Sequence, residues 1–383
     1  VSYLVAAVRS PIGRAFKGSL TELRGDDLCA RMVRAALDRL PDPEAVAARV
    51  EDVIVGCAQP AGEQGYNLGR AVSLLAGLSD VPGVTVNRYC SSSLQAIRMG
   101  HHAIAAGEGD VFVAAGVECV SRFKLGKADG MEDTKNPRFL AGGDLPRYYL
   151  GMGLTAENVA ERCGVTREAQ DAFAARSQQR AVSARESGVF AAEIEPVETP
   201  SGRVEHDDCP RPGTTAEKLA GLRTVFREDG TVTAGNCCPL NDGAAAVIVM
   251  SEAAVRDLGV TPIGRVVSTA VSALNPEIMG LGPVESSRRA LARAGLTMAD
   301  MDAVEINEAF AAQVLPCAEA LEIPEDRLNV HGGAIALGHP FGMTGARIAV
   351  TLLNALAVRD GRYGLETMCV GGGQGMAMVV ERL

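Results

Sequence analysis

Val84-Thr85-Val86-Asn87-Arg88-Tyr89-Cys90-Ser91-Ser92-Ser93-Leu94 changes its periodicity halfway along. Residues 84–87 alternate as a short strand does, and from Ser91 onward Leu94, Ile97, His101 and Ile104 fall on one face at helical spacing. Gly107 supplies the stop. A strand, a turn and a helix are therefore expected, with Cys90 in the turn. Unpaired N–H groups and the positive end of the helix dipole gather at such a turn, which predicts a lowered thiol pKa and a more nucleophilic sulfur. The same residue type also fits a buried core cysteine, as expected for Cys57 and Cys119 inside apolar runs.

Outward from this turn the chain repeats its own order of elements. The first half offers a helical run over 28–40, a strand over 53–56, the Cys90 turn with its helix, and a strand over 111–115. The second half offers a helical run over 286–294, a strand over 303–307, a glycine-rich loop, a helix over 344–358 and a strand over 367–370. Strands alternating with helices predict two α/β units of similar plan. Between them, from about 118 to 234, the pattern loosens. Residues 124–149 are rich in Gly, Asp, Lys and Pro and predict irregular loop, whereas 166–188 predicts a helix with Phe173 and Ala174 on its apolar side.

Composition bounds the function. A chain of 383 residues, 47% hydrophobic with 43 glycines, is long enough to bury a large core in two or three domains. No apolar run reaches the roughly 18 residues needed to span a bilayer. Tyr3 to Val8 reads as a strand rather than a leader, and Glu381-Arg382-Leu383 is not the usual peroxisomal signal, so a soluble, cytoplasmic protein is expected. Ten cysteines without a C-x-x-C pair, and five histidines without H-E-x-x-H spacing, predict reduced thiols and no metal site. A net charge of −10 argues against nucleic acid as a partner. Local positive charge does occur over 201–227, in Arg203, Arg211, Lys218, Arg223 and Arg227; it fits an anion site or a solvated mixed-charge face equally well.

Two residues complement Cys90. His339 lies within Gly338-His339-Pro340, and Cys369 precedes a run of glycines. A thiolate attacks a carbonyl, an imidazole takes its proton, and a second thiol moves a proton at a neighbouring carbon. That set suits making or breaking a carbon–carbon bond beside a thioester. Each member also has a structural reading: His339 as a satisfied core histidine, Asn307 as a strand-end cap, and 371–375 as a hairpin turn before an alternating strand at 376–380.

Asn87-Arg88-Tyr89-Cys90-Ser91-Ser92-Ser93-Leu94 resembles the nucleophile motif of the thiolase family. Asn307-Glu308-Ala309-Phe310, Gly332-Gly333-Ala334-Ile335-Ala336-Leu337-Gly338-His339-Pro340 and Cys369-Val370-Gly371-Gly372-Gly373-Gln374-Gly375 resemble its other signatures, in the same order. Arg9-Ser10-Pro11-Ile12-Gly13, Thr155-Ala156-Glu157-Asn158 and Asn241-Asp242-Gly243-Ala244-Ala245 extend the likeness over essentially the whole chain.

The resemblance implies an α-β-α-β-α layered α/β fold from two similar halves, residues 1–118 (with 236–260 returning to it) and 261–383, with an inserted loop domain at 119–235. It implies thiolytic cleavage of a 3-ketoacyl-coenzyme A, as in fatty acid β-oxidation, with coenzyme A as co-substrate and no permanently bound cofactor. Cys90 would be the nucleophile, His339 the base and Cys369 the proton donor. Asn307, through a water, and the N–H groups of Cys90 and Gly371 would hold the oxyanions. Met152, Arg211, Met279, Ala309 and Phe310 would lie near coenzyme A, and the chain would form a homodimer or homotetramer. Three positions depart from the family pattern: Cys238 replaces a serine that bonds the pantetheine arm, Gly151 stands where biosynthetic members tend to have histidine, and His331 where asparagine is frequent. The Ser91-Ser92-Ser93 run resembles the degradative branch more than the biosynthetic one, whose condensation of two acetyl-coenzyme A molecules is the alternative. A coenzyme A-binding protein without turnover is the reading from a different class. Retention of Cys90, Asn307, His339 and Cys369 together argues against it.

Overall fold

The computed structural model describes residues 1–122, 135–140 and 145–383, so much of the expected 124–149 loop lies outside the described residues. Strands β1 (Ser2–Arg9), β2 (Val50–Gly56), β3 (Gly83–Val86), β4 (Val111–Cys119) and β5 (Asn241–Ser251), with a two-residue strand at Gly13–Arg14 paired to β5, form the first half of a ten-stranded sheet. Their order is β3-β2-β4-β5-β1: β2 runs parallel to β3 and β4, while β5 is antiparallel to β4 and β1. The second half holds β6 (Gly264–Ala273), β7 (Ala303–Ile306), β8 (Tyr363–Val370) and β9 (Gln374–Arg382). It repeats the plan with the same sense at every step. β7 runs parallel to β8 and, through a single Val304–Leu328 bridge, to the segment that takes the place of β3; β9 is antiparallel to β8 and β6. The halves join where Ser2 to Leu4 of β1 pairs antiparallel with Gly264 to Val266 of β6.

Helices complete five layers. α1 (Gly25–Asp38) and α2 (Leu68–Leu75) cover the outer face of the first half, where Leu28, Met32 and Val72 meet Val53, Val55 and Val113. α3 (Ser92–Ala106) and α8 (Thr344–Val358) fill the centre, burying Leu94, Ile97, Ile348 and Leu352 between Ile54 and Val247 on one side and Met368 and Met378 on the other. α6 (Gly282–Ala294) and α7 (Ala311–Ala320) close the far face over Val304, Leu365 and Val379. Alternate residues of each strand thus face different cores, as the two-residue period of a strand requires. Between the strands of the two halves in sequence lie α4 (Met152–Cys163) and α5 (Arg167–Glu186). α5 follows its expectation: Thr166 caps it by accepting from Ala169 N, and Phe173 and Ala174 are buried.

The two central helices cross closely enough to matter for the site. A Cβ placed on Gly345 would lie 2.3 Å from Leu94 N, so only glycine permits this approach. Ser93 Oγ accepts from Ala346 N at 2.8 Å across the same crossing. The helix after Cys90 is thereby locked to the helix after His339.

Candidate active site

Cys90 sits in a single 3₁₀ turn, Tyr89–Ser91, between β3 and α3, and α3 ends at Gly107 in the left-handed conformation. The turn is tightly held. Tyr89 adopts φ +43°, a strained value for a tyrosine, and its N–H donates to Asn87 Oδ1 at 2.8 Å. Asn87 Nδ2 in turn donates to Ala58 O at 3.0 Å, and Arg88 N donates to Ser92 Oγ at 2.9 Å.

The expectation of a lowered thiol pKa does not hold. Burial pushes the Cys90 thiol up to about 11, and the carboxylate of Glu118 adds to the rise. The N–H groups of Gly371 and of Cys90 itself bond to the sulfur and favour the thiolate, but do not offset its desolvation. At rest Cys90 is therefore a thiol, and acting as a nucleophile would require a base.

His339, the expected base, is held on every side. Its backbone N–H donates to Asn241 Oδ1 at 2.9 Å, and its ring packs edge-on against Phe341 at 5.1 Å. Nδ1 lies 2.7 Å from Thr344 Oγ1, and Nε2 lies 3.2 Å from Asn307 Nδ2. Burial, with Arg347 nearby, pushes the imidazole down to about 3, so it is neutral at physiological pH. Asn307 is fully buried at the end of β7, its N–H bonded to Thr367 O at 3.0 Å and its Oδ1 without a hydrogen-bond partner among the described residues. The strand-end reading and a polar role at the site hold together.

Cys369 lies buried at the end of β8, where desolvation and the neighbouring Cys90 thiol raise its pKa well above the ordinary value. It keeps its proton, as an acid must. Gly371 begins the β8–β9 turn, and Gly372 and Gly373 take φ +78° and +81°.

A cavity of about 260 Å³ opens over Cys90 and Gly371, lined by Tyr89, Tyr148, Tyr149 and Phe341. Met152 and Lys135 also line it. The other expected binding residues fall into two groups. Ala309 and Phe310 form a strip against 236–238: Cys238 N donates to Ala309 O at 3.0 Å, Ala311 N to Asn236 O at 2.9 Å, and Cys237 bridges Phe310. Cys238 is half-buried there, within electrostatic reach of Cys90 and Cys369. Met279 is 1% exposed in the apolar cluster with Ala309, Phe310 and Cys369, as a core filler is. In the basic stretch, Arg203 pairs with Glu205, Arg227 with Glu161, and Lys218 Nζ donates to Gly213 O. Arg211 and Arg223 are exposed and, among the described residues, have no carboxylate partner. Beside them Leu222, Val225, Phe226 and Met152 expose apolar surface, and Phe226 meets Phe310 edge-on at 6.1 Å.

Sequence reasoning assigned no role to Thr344, Asn241, Tyr148 or Tyr149. Asn241 lies in a motif already singled out, and Thr344 follows Pro340 at helical spacing, which was the available signal.

A desolvated thiol close to a second, buried thiol, with a neutral imidazole held by Asn307 and Thr344, is a layout that suits acyl transfer through an enzyme-bound thioester. The chain belongs to the thiolase family: the family model "Thiolase, N-terminal domain" matches residues 2–253 and "Thiolase, C-terminal domain" residues 260–382. Among curated relatives, the 3-oxoadipyl-CoA/3-oxo-5,6-dehydrosuberyl-CoA thiolase of Escherichia coli is 46% identical over 100% of this chain and 99% of the relative. The 3-ketoacyl-CoA thiolase of Shewanella denitrificans is 45% identical over 99% of both. The crystal structure of human mitochondrial 3-ketoacyl-CoA thiolase superposes with a TM-score of 0.90 at 37% identity, covering 100% of this chain and 99% of that one. A second human structure, in complex with CoA, matches with the same score and identity. The protein is an acyltransferase that uses coenzyme A as a substrate.

Proposed function

We propose that the protein cleaves a 3-ketoacyl-coenzyme A with coenzyme A, giving acetyl-coenzyme A and an acyl-coenzyme A shorter by two carbons. The observation that supports this is the cavity over Cys90 and Gly371, with Cys369 close to Cys90 and a buried His339 bonded to Asn307. His339 Nε2 takes the Cys90 proton as the sulfur attacks the 3-keto carbon, and the N–H groups of Cys90 and Gly371 hold the oxyanion. Breaking the carbon–carbon bond leaves the enolate of acetyl-coenzyme A, which His339 and Asn307 stabilise and Cys369 protonates. Coenzyme A then loses its thiol proton to the Cys369 thiolate and attacks acyl-Cys90, and His339 returns the first proton to the leaving sulfur. The balance closes with both thiols restored.

Arg211 and Arg223 are placed to meet the phosphates of coenzyme A, and the exposed Leu222, Val225, Phe226 and Met152 its apolar arm, under a loop domain at 119–235. A second reading concerns the acyl end. Among the described lining residues of the cavity, Lys135 brings the positive charge, which suits a substrate with a distal carboxylate, such as the 3-oxoadipyl group in several relatives' names. We place the enzyme in the cytoplasm as a homodimer or homotetramer. All ten cysteines are free, and the short edge strand β3 leaves Val84 and Val86 only half-buried.

The test follows the magnesium-enolate absorbance of 3-ketoacyl-coenzyme A substrates, neutral and dicarboxylic, on adding protein and coenzyme A. Absorbance lost only in the presence of both supports thiolysis. Mass spectrometry with substrate alone should find the acyl group on Cys90, and an adduct on another residue would overturn the assignment. A Cys90→Ala variant should form no adduct.

A further inference from the structure

Glu118, at the end of β4, is fully buried and makes a set of contacts that the catalytic steps above do not use. Its Oε2 accepts from Ala58 N at 2.9 Å and Gly342 N at 3.0 Å, and its Oε1 from Gln64 Nε2 at 2.8 Å and Gln59 N at 3.2 Å. Every one of these partners is a donor. An ionised carboxylate, which accepts at both oxygens and donates at neither, satisfies all of them, and these bonds oppose the burial that pushes the Glu118 pKa up.

The contacts lead to both sides of the proposed reaction. Gly342 belongs to the loop that carries His339, and that loop threads tightly into the first half: a Cβ on Gly342 would lie 2.3 Å from Val117 O. Asn241 holds the start of this loop at His339 N, and Glu118 holds its far end at Gly342 N. In the other direction, the Ala58 peptide fixed by Glu118 accepts from Asn87 Nδ2, and Asn87 Oδ1 accepts from Tyr89 N, the residue before Cys90. One carboxylate therefore ties the turn of the nucleophile in the first half to the loop of the base in the second.

We propose that Glu118 is a positioning residue that sets the Cys90 turn against the His339 loop. The proposal rests on Cys90 as nucleophile and His339 as base. Among the described residues, Glu118 from β4 is the charged group that acts on Cys90; Cys369 from β8, Cys238 and Tyr89 are the titratable groups that sense it. The negative charge of Glu118 and the two N–H groups at the sulfur act in opposite directions.

Glu118→Gln keeps the shape, but removes the charge and turns an amide against donors. Its turnover number should fall by about 10²-fold, the cost of a roughly 1 Å misplacement, while the KM for coenzyme A stays within about twofold. Alkylation of Cys90 by iodoacetamide, followed by peptide mass spectrometry, should move to lower pH in the same variant, because a repelling charge is gone. A merely structural role would not shift that profile. Asn87→Ala serves as the second variant: it cuts the relay but keeps the charge, so turnover should fall with the alkylation profile unmoved. Wild-type turnover in either variant, or an unshifted profile in Glu118→Gln, overturns the proposal. If wild-type protein forms no acyl-Cys90 with any 3-ketoacyl substrate, the functional assignment fails instead, and the alkylation profile still tests whether Glu118 acts on the thiol.

Discussion

Thr344 Oγ1 lies 2.7 Å from His339 Nδ1 and donates its own proton to Pro340 O at 2.8 Å. A hydroxyl that donates to a carbonyl has only lone pairs left for the imidazole, so Nδ1 carries the proton and Nε2 is bare. Asn307 Nδ2, a donor, faces Nε2 and agrees with that tautomer. The ring is thus oriented with its basic nitrogen toward Asn307, before substrate arrives.

Thr344→Val should retain the fold but leave the Nδ1 proton unpaired, at a cost of about 1–3 kcal/mol. The tautomer preference relaxes, and turnover should drop by roughly 10- to 100-fold with little change in KM. Thr344→Ser keeps the hydroxyl and should recover most of the rate. Steady-state kinetics of the pair checks this: equal loss in both variants would mean that packing of the methyl, not the hydrogen bond, is what counts.

At rest Cys90 is a thiol and His339 a neutral imidazole, because burial pushes the first up to about 11 and the second down to about 3. Iodoacetamide should therefore modify Cys90 slowly between about pH 6 and pH 9 and progressively faster toward pH 11, with no acid limb from His339 in that range. A stopped-time alkylation series read by peptide mass spectrometry gives the profile. A plateau reached below pH 8 would show that the thiolate already stands in the free enzyme.

Much of this was legible in the sequence, and the exceptions have physical causes. The Cys90 turn, its helix and the glycine stop read correctly because apolar spacing and capping are local properties. Helix α8 was expected over 344–358, where it is found, whereas α1 starts at Gly25, earlier than its apolar run, since Asp26 and Asp27 favour the helix N-terminus without contributing to periodicity. Strand β6 alternates serine and threonine with small apolar residues and gave no clear signal, and α7 carries Pro316 inside. The Cys90 pKa was misjudged because a helix terminus can be read from the chain and enclosure by Gly371, Tyr89 and Glu118 cannot. Thr344 and Glu118 escaped for the same reason: their importance lies in what distant segments bring to them.

Glu305 and Glu366 stand side by side on the parallel strands β7 and β8, both fully buried and facing Arg347 of α8. Among the described residues, Glu305 Oε1, both Glu366 oxygens and Arg347 Nε and Nη1 find no hydrogen-bond partner. Two carboxyls near one guanidinium cannot both ionise cheaply, and desolvation pushes Glu305 up to about 8 and Glu366 well above its ordinary value. A carboxyl with a raised folded pKa binds more protons folded than unfolded. Its contribution to stability is full below the unfolded value near 4.3, and is lost as pH rises through the folded value. Glu366→Gln leaves Arg347 to Glu305 alone. The loss of stability between pH 5.5 and pH 8.5, read from denaturant unfolding, should be smaller in this variant than in the wild type. An identical drop in both proteins would place the titration elsewhere.

Cys238 offers the last test, at the proposed coenzyme A arm. Its N–H is already bonded to Ala309 O, so only the side chain is left for a ligand, and the thiol is half-buried beside the Ala309–Phe310 strip. A thiol is a weak hydrogen-bond partner, while a serine hydroxyl both donates and accepts. Cys238→Ser should gain one neutral hydrogen bond, about 0.5–1.5 kcal/mol net, or at most roughly tenfold in coenzyme A affinity. The gain should appear in the KM of coenzyme A and of the ketoacyl substrate alike, because both carry the same arm, and it should not vary with acyl length. Turnover should change little. Burial works against the substitution, since the hydroxyl loses water that the thiol never needed, so a variant that finds no partner would bind coenzyme A no better or more weakly. Titration calorimetry on the serine variant separates the two outcomes. Flat or reduced affinity means that this pocket has been reshaped around sulfur and that the contact does not form.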